Sequence, residues 1–433
     1  MSSEWVKTKL KSHIEYNKGF AFKSKDFVDE GYPVVKVKNF TSDSVDITEC
    51  QYLDSESVKV YDKYLLNEDD VLIATVGSWL TNPNSVVGKT VKVPKGLDNA
   101  YLNQNAVRLK AKETIDQRFL FYLLKHDKFK YYIVGTAQGS ANQASITLND
   151  IFNYEFPLPP FSEQKRIAKI LGDLDDKIEL NRQTNKTLEE MAQALFQSWF
   201  VDFDPVIDNA LKAGNSIPEA LQQKAEKRKA LLGNNPHALP ETIQSLFPSA
   251  FVWNEVLGKW VPEGWEVNDL GDNLNFRRGH DLAKTKMTGN DYPVMGSNGV
   301  IGYHKEFTTS NPCITIGRSG NVGKPKLTLE NTWAHNTTLY IDNFKGSDPF
   351  YIFYLIQTLN LSNYRGGSAV PTLNRNHIHP IKVCSAPNEL QLILSQHISK
   401  YHDKIESNKV DNITLEGLRD SLLPKLISGR ILL

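Results

Sequence analysis

The chain repeats itself across a long interval. Asp176-Lys177-Ile178-Glu179-Leu180-Asn181 recurs as Asp403-Lys404-Ile405-Glu406-Ser407-Asn408, with one change, at an offset of 227 residues. At the same offset Thr187-Leu188-Glu189 matches Thr414-Leu415-Glu416, and Leu195 matches Leu422. Solenoid repeats run roughly 20–50 residues, so this interval calls for two large equivalent modules. A molecule with two similar halves suits a target that also has two halves.

The repeated segments read as helices. In the first, Ser162 is the expected N-cap, with Glu163 favoured by the positive end of the helix dipole. Seam residues then fall at Ile167, Leu171, Leu174, Ile178, Asn181, Asn185, Leu188, Ala192, Leu195 and Trp199. Their steps alternate four and three, the heptad signature of a coiled coil. The second segment places Leu394, Ile398, Tyr401, Ile405, Asn408, Asn412 and Leu415 equivalently. There the register slips at Arg419, and Gly417 and Pro424 are expected to weaken the far end. Leu171, Leu174, Ile178, Leu188 and Leu195 are expected to pack against Ile398, Tyr401, Ile405 and Leu415. The Asn pairs have two readings: exposed polar interruptions, or residues that trade stability for fixed register. An antiparallel pairing of the helices would bring them together at mid-seam.

Two modules of α/β (α+β) character flank the helices, in the order 1–160 module, 161–200 helix, 201–263 connector, 264–386 module, 387–433 helix. In the first, β-type runs such as Tyr32-Pro33-Val34-Val35-Lys36-Val37 and Asp70-Val71-Leu72-Ile73-Ala74-Thr75-Val76 alternate with Gly and Asn turns. A helical patch covers Gln117–Leu124. The second module repeats the order. Trp265 stands where Trp5 stood, and Phe350-Tyr351-Ile352-Phe353-Tyr354-Leu355 echoes Phe119-Leu120-Phe121-Tyr122-Leu123. Cys313-Ile314-Thr315-Ile316-Gly317-Arg318-Ser319-Gly320 echoes Ile73-Ala74-Thr75-Val76-Gly77-Ser78, and His335-Asn336 echoes Gln104-Asn105. The connector is broken by prolines, carries a basic helix over 220–232, and is pinned by Phe247, Phe251, Trp253 and Trp260. A partner-docking surface is the functional alternative for it.

No catalytic motif is legible. Gly88-Lys89-Thr90 looks like the end of a P-loop, but Pro83 occupies the position of its first glycine. His377-Ile378-His379 would offer two side chains on one strand face but has no acidic or Cys partner nearby, so no metal is expected. Cys50, Cys313 and Cys384 form no CxxC pair, which fits a reducing compartment. No signal peptide or membrane span is visible, and a soluble cytoplasmic protein is expected. The formal net charge is zero, with 12 Lys and Arg against 9 Asp and Glu over 264–385. What remains are Gly-rich polar loops carrying amide and basic side chains, which read base edges and grip phosphates. Turns use the same residues, but here the loops recur in both modules. The candidate DNA-contacting set is Lys18, Phe20, Lys23, Lys36, Lys38, Asn39, Ser78, Gln138, Asn142 and Gln143 in the first module. In the second it is Arg277, Ser297, Asn298, Arg318, Ser319, Asn321, Lys324, Arg365 and Ser368.

The sequence resembles the specificity subunit of a type I restriction–modification system. The resemblance is carried by Pro157-Leu158-Pro159-Pro160-Phe161-Ser162-Glu163-Gln164-Lys165-Arg166-Ile167, by 171–178, by Ser198-Trp199-Phe200-Val201-Asp202-Phe203-Asp204-Pro205-Val206, by 261–267 and by 292–303. It spans essentially the whole chain in the order of that family. The second copy of the first element departs, reading Cys384-Ser385-Ala386-Pro387-Asn388-Glu389-Leu390-Gln391. The resemblance implies two target-recognition domains on two antiparallel helices, each domain reading half of a split double-stranded DNA target. It implies docking of two methyltransferase subunits that carry S-adenosylmethionine and flip adenine, and of ATP- and Mg-dependent translocase/endonuclease subunits. The chain itself would bind no cofactor and catalyse nothing. The alternatives are a specificity factor of another DNA-modifying defence system, or a coiled-coil scaffold with two domains for ligands other than nucleic acid.

Overall fold

A computed structural model describes residues 5–56, 58–79, 86–97, 99–140, 143–232, 239–366 and 372–431. Its contacts divide the chain into two compact units, Met1–Arg182 with Lys409–Leu433, and Gln183–Asn408. Each unit holds one module together with one end of each long helix. The long helices are Phe161–Phe196 and Asn388–Ile427. No described helix is long and apolar enough to cross a membrane.

In the first unit, Val6–Lys9 pairs antiparallel with Glu155–Leu158 and closes the module. Its main sheet runs in the order Ile14–Lys18, Ala106–Ala111, Val71–Ala74, Thr90–Lys92, all antiparallel. Val71–Ala74 is buried throughout, as an unbroken apolar run at a sheet centre should be. A second sheet pairs Tyr32–Val35 antiparallel with Gln51–Leu53 and parallel with Tyr101–Leu102. The helix Gln117–Lys125 covers the main sheet, and the Asp116 carboxylate caps it by accepting from Phe119 N–H at 2.9 Å.

The second unit repeats this plan. Glu266–Asp269 pairs with Lys382–Ser385. The main sheet runs Asn275–Arg278, Thr338–Asn343, Cys313–Gly317, Pro325–Thr328. Tyr292–Gly296 pairs antiparallel with Gly299–His304 and parallel with Trp333–Ala334. The helix Pro349–Thr358 is capped by Asp348, with Pro at its first position, where no N–H is needed. The connector holds helices Asp204–Ala213 and Glu219–Leu232, joined by Arg228 to Asp208, and a hairpin, Phe251–Asn254 with Lys259–Pro262, that the sequence reading did not foresee.

Backbone hydrogen bonds fix which residues correspond. Asn103 N–H reaches Val35 O at 3.0 Å, and His335 N–H reaches Met295 O at 3.0 Å. His335 therefore stands at Asn103, one residue from the match read in the sequence. Ala74 pairs with Ala106 and Gly317 with Thr338, so Gly317 stands at Ala74 and not at Gly77. Thr75 N–H to Asn105 O and Arg318 N–H to Thr337 O, both 2.8 Å, continue the match. Gly19 and Gly279 confirm it sterically. A Cβ on either would lie 2.0 Å from Asn103 O or 2.1 Å from His335 O, closer than any side chain tolerates.

The long helices begin alike. The first starts at Phe161, so Ser162 lies inside its first turn instead of capping it. Gln164, 1% exposed, accepts from Asp116 N–H at 2.8 Å and donates to Pro159 O at 2.9 Å. Gln391, 2% exposed, accepts from Asp348 N–H at 2.9 Å and donates to Ala386 O at 2.8 Å. Each amide pins its helix to the last strand and to the capped helix of its own module. The departure in the second copy thus spares Pro387 and Gln391, the two residues that shape the start.

Within each unit the helices run antiparallel. Asn181 donates to Asn412 at 2.8 Å in the first unit, and Asn408 donates to Asn185 at 2.8 Å in the second. The seam asparagines meet and are not exposed interruptions. Ile178 and Ile405 are buried, and this register sets Ile178 opposite Leu415 and Leu188 opposite Ile405. Leu195 packs with Ile398 and Tyr401, while Leu174 is half-buried. Leu171 departs from expectation: it joins Leu423, Leu426 and Ile427 in the core of the first unit. Pro424 does not end the second helix, which runs three residues further. His377 falls on a short helix, Arg375–Ile378, rather than a strand, and His379 accepts from Phe276 N–H at 3.0 Å. Among the described residues no group of His, Cys, Asp and Glu is placed to hold a metal.

Candidate nucleic-acid interface

Both modules build a rim at the loop that leaves a central strand of the main sheet, Val71–Ala74 in the first and Cys313–Gly317 in the second. In the first unit, Val76–Gly77 pairs with Gln143–Ser145, which pairs with Gln138–Ser140. This brings Ser78, Gln138 and Gln143 together, with both glutamines exposed. Trp79, not anticipated from the sequence, joins them and donates its indole N–H to Ser140 O at 2.8 Å. Asn142 lies outside the described residues.

In the second unit the corresponding rim is made by Ser319, which bridges Thr372, and by Arg365–Gly366 paired with Thr372–Leu373. The backbone of Arg365 is described but its side chain is not, and Ser368 lies outside the described residues. The turn Ser297-Asn298 abuts this rim, because a Cβ on Gly317 would lie 3.3 Å from Ser297 Cβ. Arg318 is half-buried, and its backbone is held on both sides, by Thr337 O and Leu373 N–H. Asn298, Asn321 and Lys324 are exposed. Arg277 stands apart on the edge strand, 3.5 Å from Asp342. Lys326, half-buried and also missed, has its ammonium 3.2 Å from where a Cβ on Gly299 would stand, and burial lowers its pKa.

The remaining first-module candidates form a second group. Lys18 and Lys23 are exposed, and Phe20 packs in an aromatic cluster with Phe22, Tyr61 and Tyr64 at 4.9–5.2 Å. Lys36 lies over the Phe27 ring at 4.6 Å and bonds Gln51, and burial followed by neighbouring Lys38 lowers its pKa. Asn39 is buried and accepts from Lys36 N–H at 2.9 Å, so its side chain shapes the turn. Lys38 is exposed at the mouth of a cleft of about 620 Å³ that Lys89, Lys125 and Lys130 also line. Those three lysines were missed, yet one signal existed. Gly88 and Gly323 both have positive φ, 78° and 89°, and each is followed by Lys. Their N–H groups bond Ala74 O and Gly317 O, so Lys89 is the counterpart of Lys324. Burial, then the charge of Lys125, lowers the pKa of Lys89.

Comparison with known proteins agrees with this architecture. Residues 2–190 and 262–416 match the family model described as type I restriction modification DNA specificity domain. The HindI type I restriction enzyme specificity subunit of Haemophilus influenzae is 27% identical over 79% of this chain and 84% of its own length. The putative MjaX specificity subunit of Methanocaldococcus jannaschii is 25% identical over 99% and 94%. Among solved structures, the type I system S subunit from M. genitalium shares the fold, with a TM-score of 0.54 at 16% identity over 98% of this chain and 97% of that one. The two family matches fall on the two repeats, and the chain belongs to the type I restriction modification DNA specificity family, as a non-catalytic specificity subunit.

Proposed function

We propose that each module reads one half of a bipartite double-stranded DNA target, and that the helix pair sets the unread gap between the halves. The observation that carries this reading is the match of backbone bonds and Gln pins between modules whose rims carry different side chains. A shared backbone frame with different rims suits two readers of unlike sequence. Arg318 offers paired donors, and the rim amides Gln138, Gln143, Asn298 and Asn321 each offer a donor and an acceptor, the groups that base edges require. Lys18, Lys23, Lys38, Lys89 and Lys324 suit phosphates, which position the protein without reading sequence.

The internal repeat offers two equivalent surfaces, which supports docking of two methyltransferase subunits. Those subunits would carry S-adenosylmethionine and flip adenine out of the duplex. Translocase/endonuclease subunits using ATP and Mg would join the same assembly in the cytoplasm. Methylome sequencing of a host expressing this chain with its methyltransferase tests the reading. A motif of two defined halves around a fixed unread gap is expected, and a continuous motif or none would refute it.

A further inference from the structure

The two modules differ where they meet the helices. In the first unit, Arg419 is 9% exposed and its guanidinium lies 2.8 Å from both Asp43 and Asp175. Asp175, on the first long helix, also accepts from Tyr122 at 2.6 Å and from Lys92 at 3.4 Å. Asp43 is held by Lys125 as well. Arg419 thus ties two carboxylates from separate segments into one buried network. At the offset of 227 residues, Asp175 corresponds to His402, and Arg419 corresponds to Ala192. Tyr354 stands at Tyr122, and its hydroxyl meets His402 Nε2 at 2.9 Å.

Asp43 sits on a segment that the second module lacks. Tyr32–Val35 and Gln51–Leu53 are joined by residues 36–50, whereas the matching strands of the second module are joined by Ser297 and Asn298 alone. Lys36, Lys38 and the Lys89 contact at Phe40 O, 3.1 Å, belong to that segment. An inserted loop that carries cations away from its sheet needs an anchor. Its tip is anchored by a cation from the second long helix. We propose that Arg419 is a positioning residue for recognition by the first module: it holds segment 36–50, with Lys36 and Lys38, in place to meet DNA. The second module has no counterpart, since Ala192 offers no charge. This rests on the reading that the first module reads a half-site.

The test uses the full chain assembled with its methyltransferase, with motif sequencing as readout. Asp43→Asn removes the ion pairs that hold the loop to Arg419 and Lys125 and leaves the Arg419–Asp175 pair in place. Arg419→Ala removes both contacts, and Arg419→Lys keeps the charge. Arg118→Ala breaks a different junction of the same module, to Asp69 and Asp176, and serves as the control for mere loosening. Asp43→Asn and Arg419→Ala should each lower discrimination in the first half-motif by about tenfold with the second half-motif unchanged. Arg419→Lys should recover part of it, and Arg118→Ala should leave the motif intact. Equal relaxation of both halves, an unchanged motif, or the same loss from Arg118→Ala would overturn the proposal. If Arg419→Ala fails to assemble, Asp43→Asn alone decides. A wild-type motif that is not bipartite would instead overturn the reading beneath it.

Discussion

The junction of module and helices is ionic in the first unit and aromatic in the second. Arg118, on the capped helix of the first module, reaches Asp176 at 3.0 Å and Asp69 at 3.2 Å, and Arg419 binds Asp43 and Asp175. At the corresponding place in the second module stands Phe350, 5.2 Å from the His402 ring, with Phe196 against Tyr351 and Tyr354 at 5.6 and 5.9 Å. The strands, caps and Gln pins nonetheless coincide. Backbone hydrogen bonds are satisfied in one way by a given fold, whereas a buried junction needs only filled volume and paired charge. A repeat can therefore diverge at its contacts and keep its wiring.

The strongest way to break this equivalence is at the seam. Ile178 and Ile405, one offset apart, are 2% and 1% exposed. Ile178→Asp and Ile405→Asp each strand a charge in a dry seam, and each should cost on the order of 4 kcal/mol. Urea unfolding of the full chain measures both, and a clear difference between them would end the claim of equivalent halves. The pins come next. Gln164→Ala and Gln391→Ala each leave a buried N–H and a buried carbonyl unpaired, at about 2 kcal/mol apiece. Matching losses in the same assay are expected, and a silent variant on one side would show that its module is held by other means.

Acid should separate the units. Burial pushes the Asp43 carboxyl up, but Lys125 and Arg419 outweigh it and hold the pKa at about 2. The folded value lies below the unfolded one of about 3.9. The network's contribution is therefore complete above about pH 4 and fades as pH falls toward 2, by roughly 2 kcal/mol in total. Asp43→Asn should flatten the stability profile over that window, as measured by acid unfolding. A profile unchanged by the variant would show that the ionic junction is not what acid attacks.

Much of this was legible in the sequence because periodicity reports burial. The heptad seam and the place of its Asn residues follow from it, the order of features in both modules follows from the repeated motifs, and the antiparallel pairing was implied only by the family resemblance. What stayed hidden depends on loop length. Thr75 and Gly88 enclose twelve residues, but Arg318 and Gly323 enclose four. Matching small residues across so unequal a gap slid the alignment and hid the pairing of Lys89 with Lys324. The Arg419 network was hidden for another reason. A charge at a seam position reads as a break in the helix contact unless its partners, here on segment 36–50 and the first helix, are known. Asp43 lies 376 residues away in sequence, beyond the reach of any local pattern.

The smallest expected effect tests what the asparagines are for. Asn181 and Asn185 stand at the same repeat positions as Asn408 and Asn412, at the offset of 227 residues, so the two pairs should behave alike. Asn181→Leu alone leaves the Asn412 amide without its partner and should cost about 1–3 kcal/mol, while the Asn181→Leu, Asn412→Leu double variant should be near neutral. In an open coiled coil such a double change would free the register. Here the Gln pins fix where each helix starts against its own module, and a slide of the seam by one heptad would also tear Arg419 from Asp175. The unread gap in the methylation motif should therefore be unchanged in the double variant. A gap that lengthened or blurred would assign register to the asparagines rather than to the junctions.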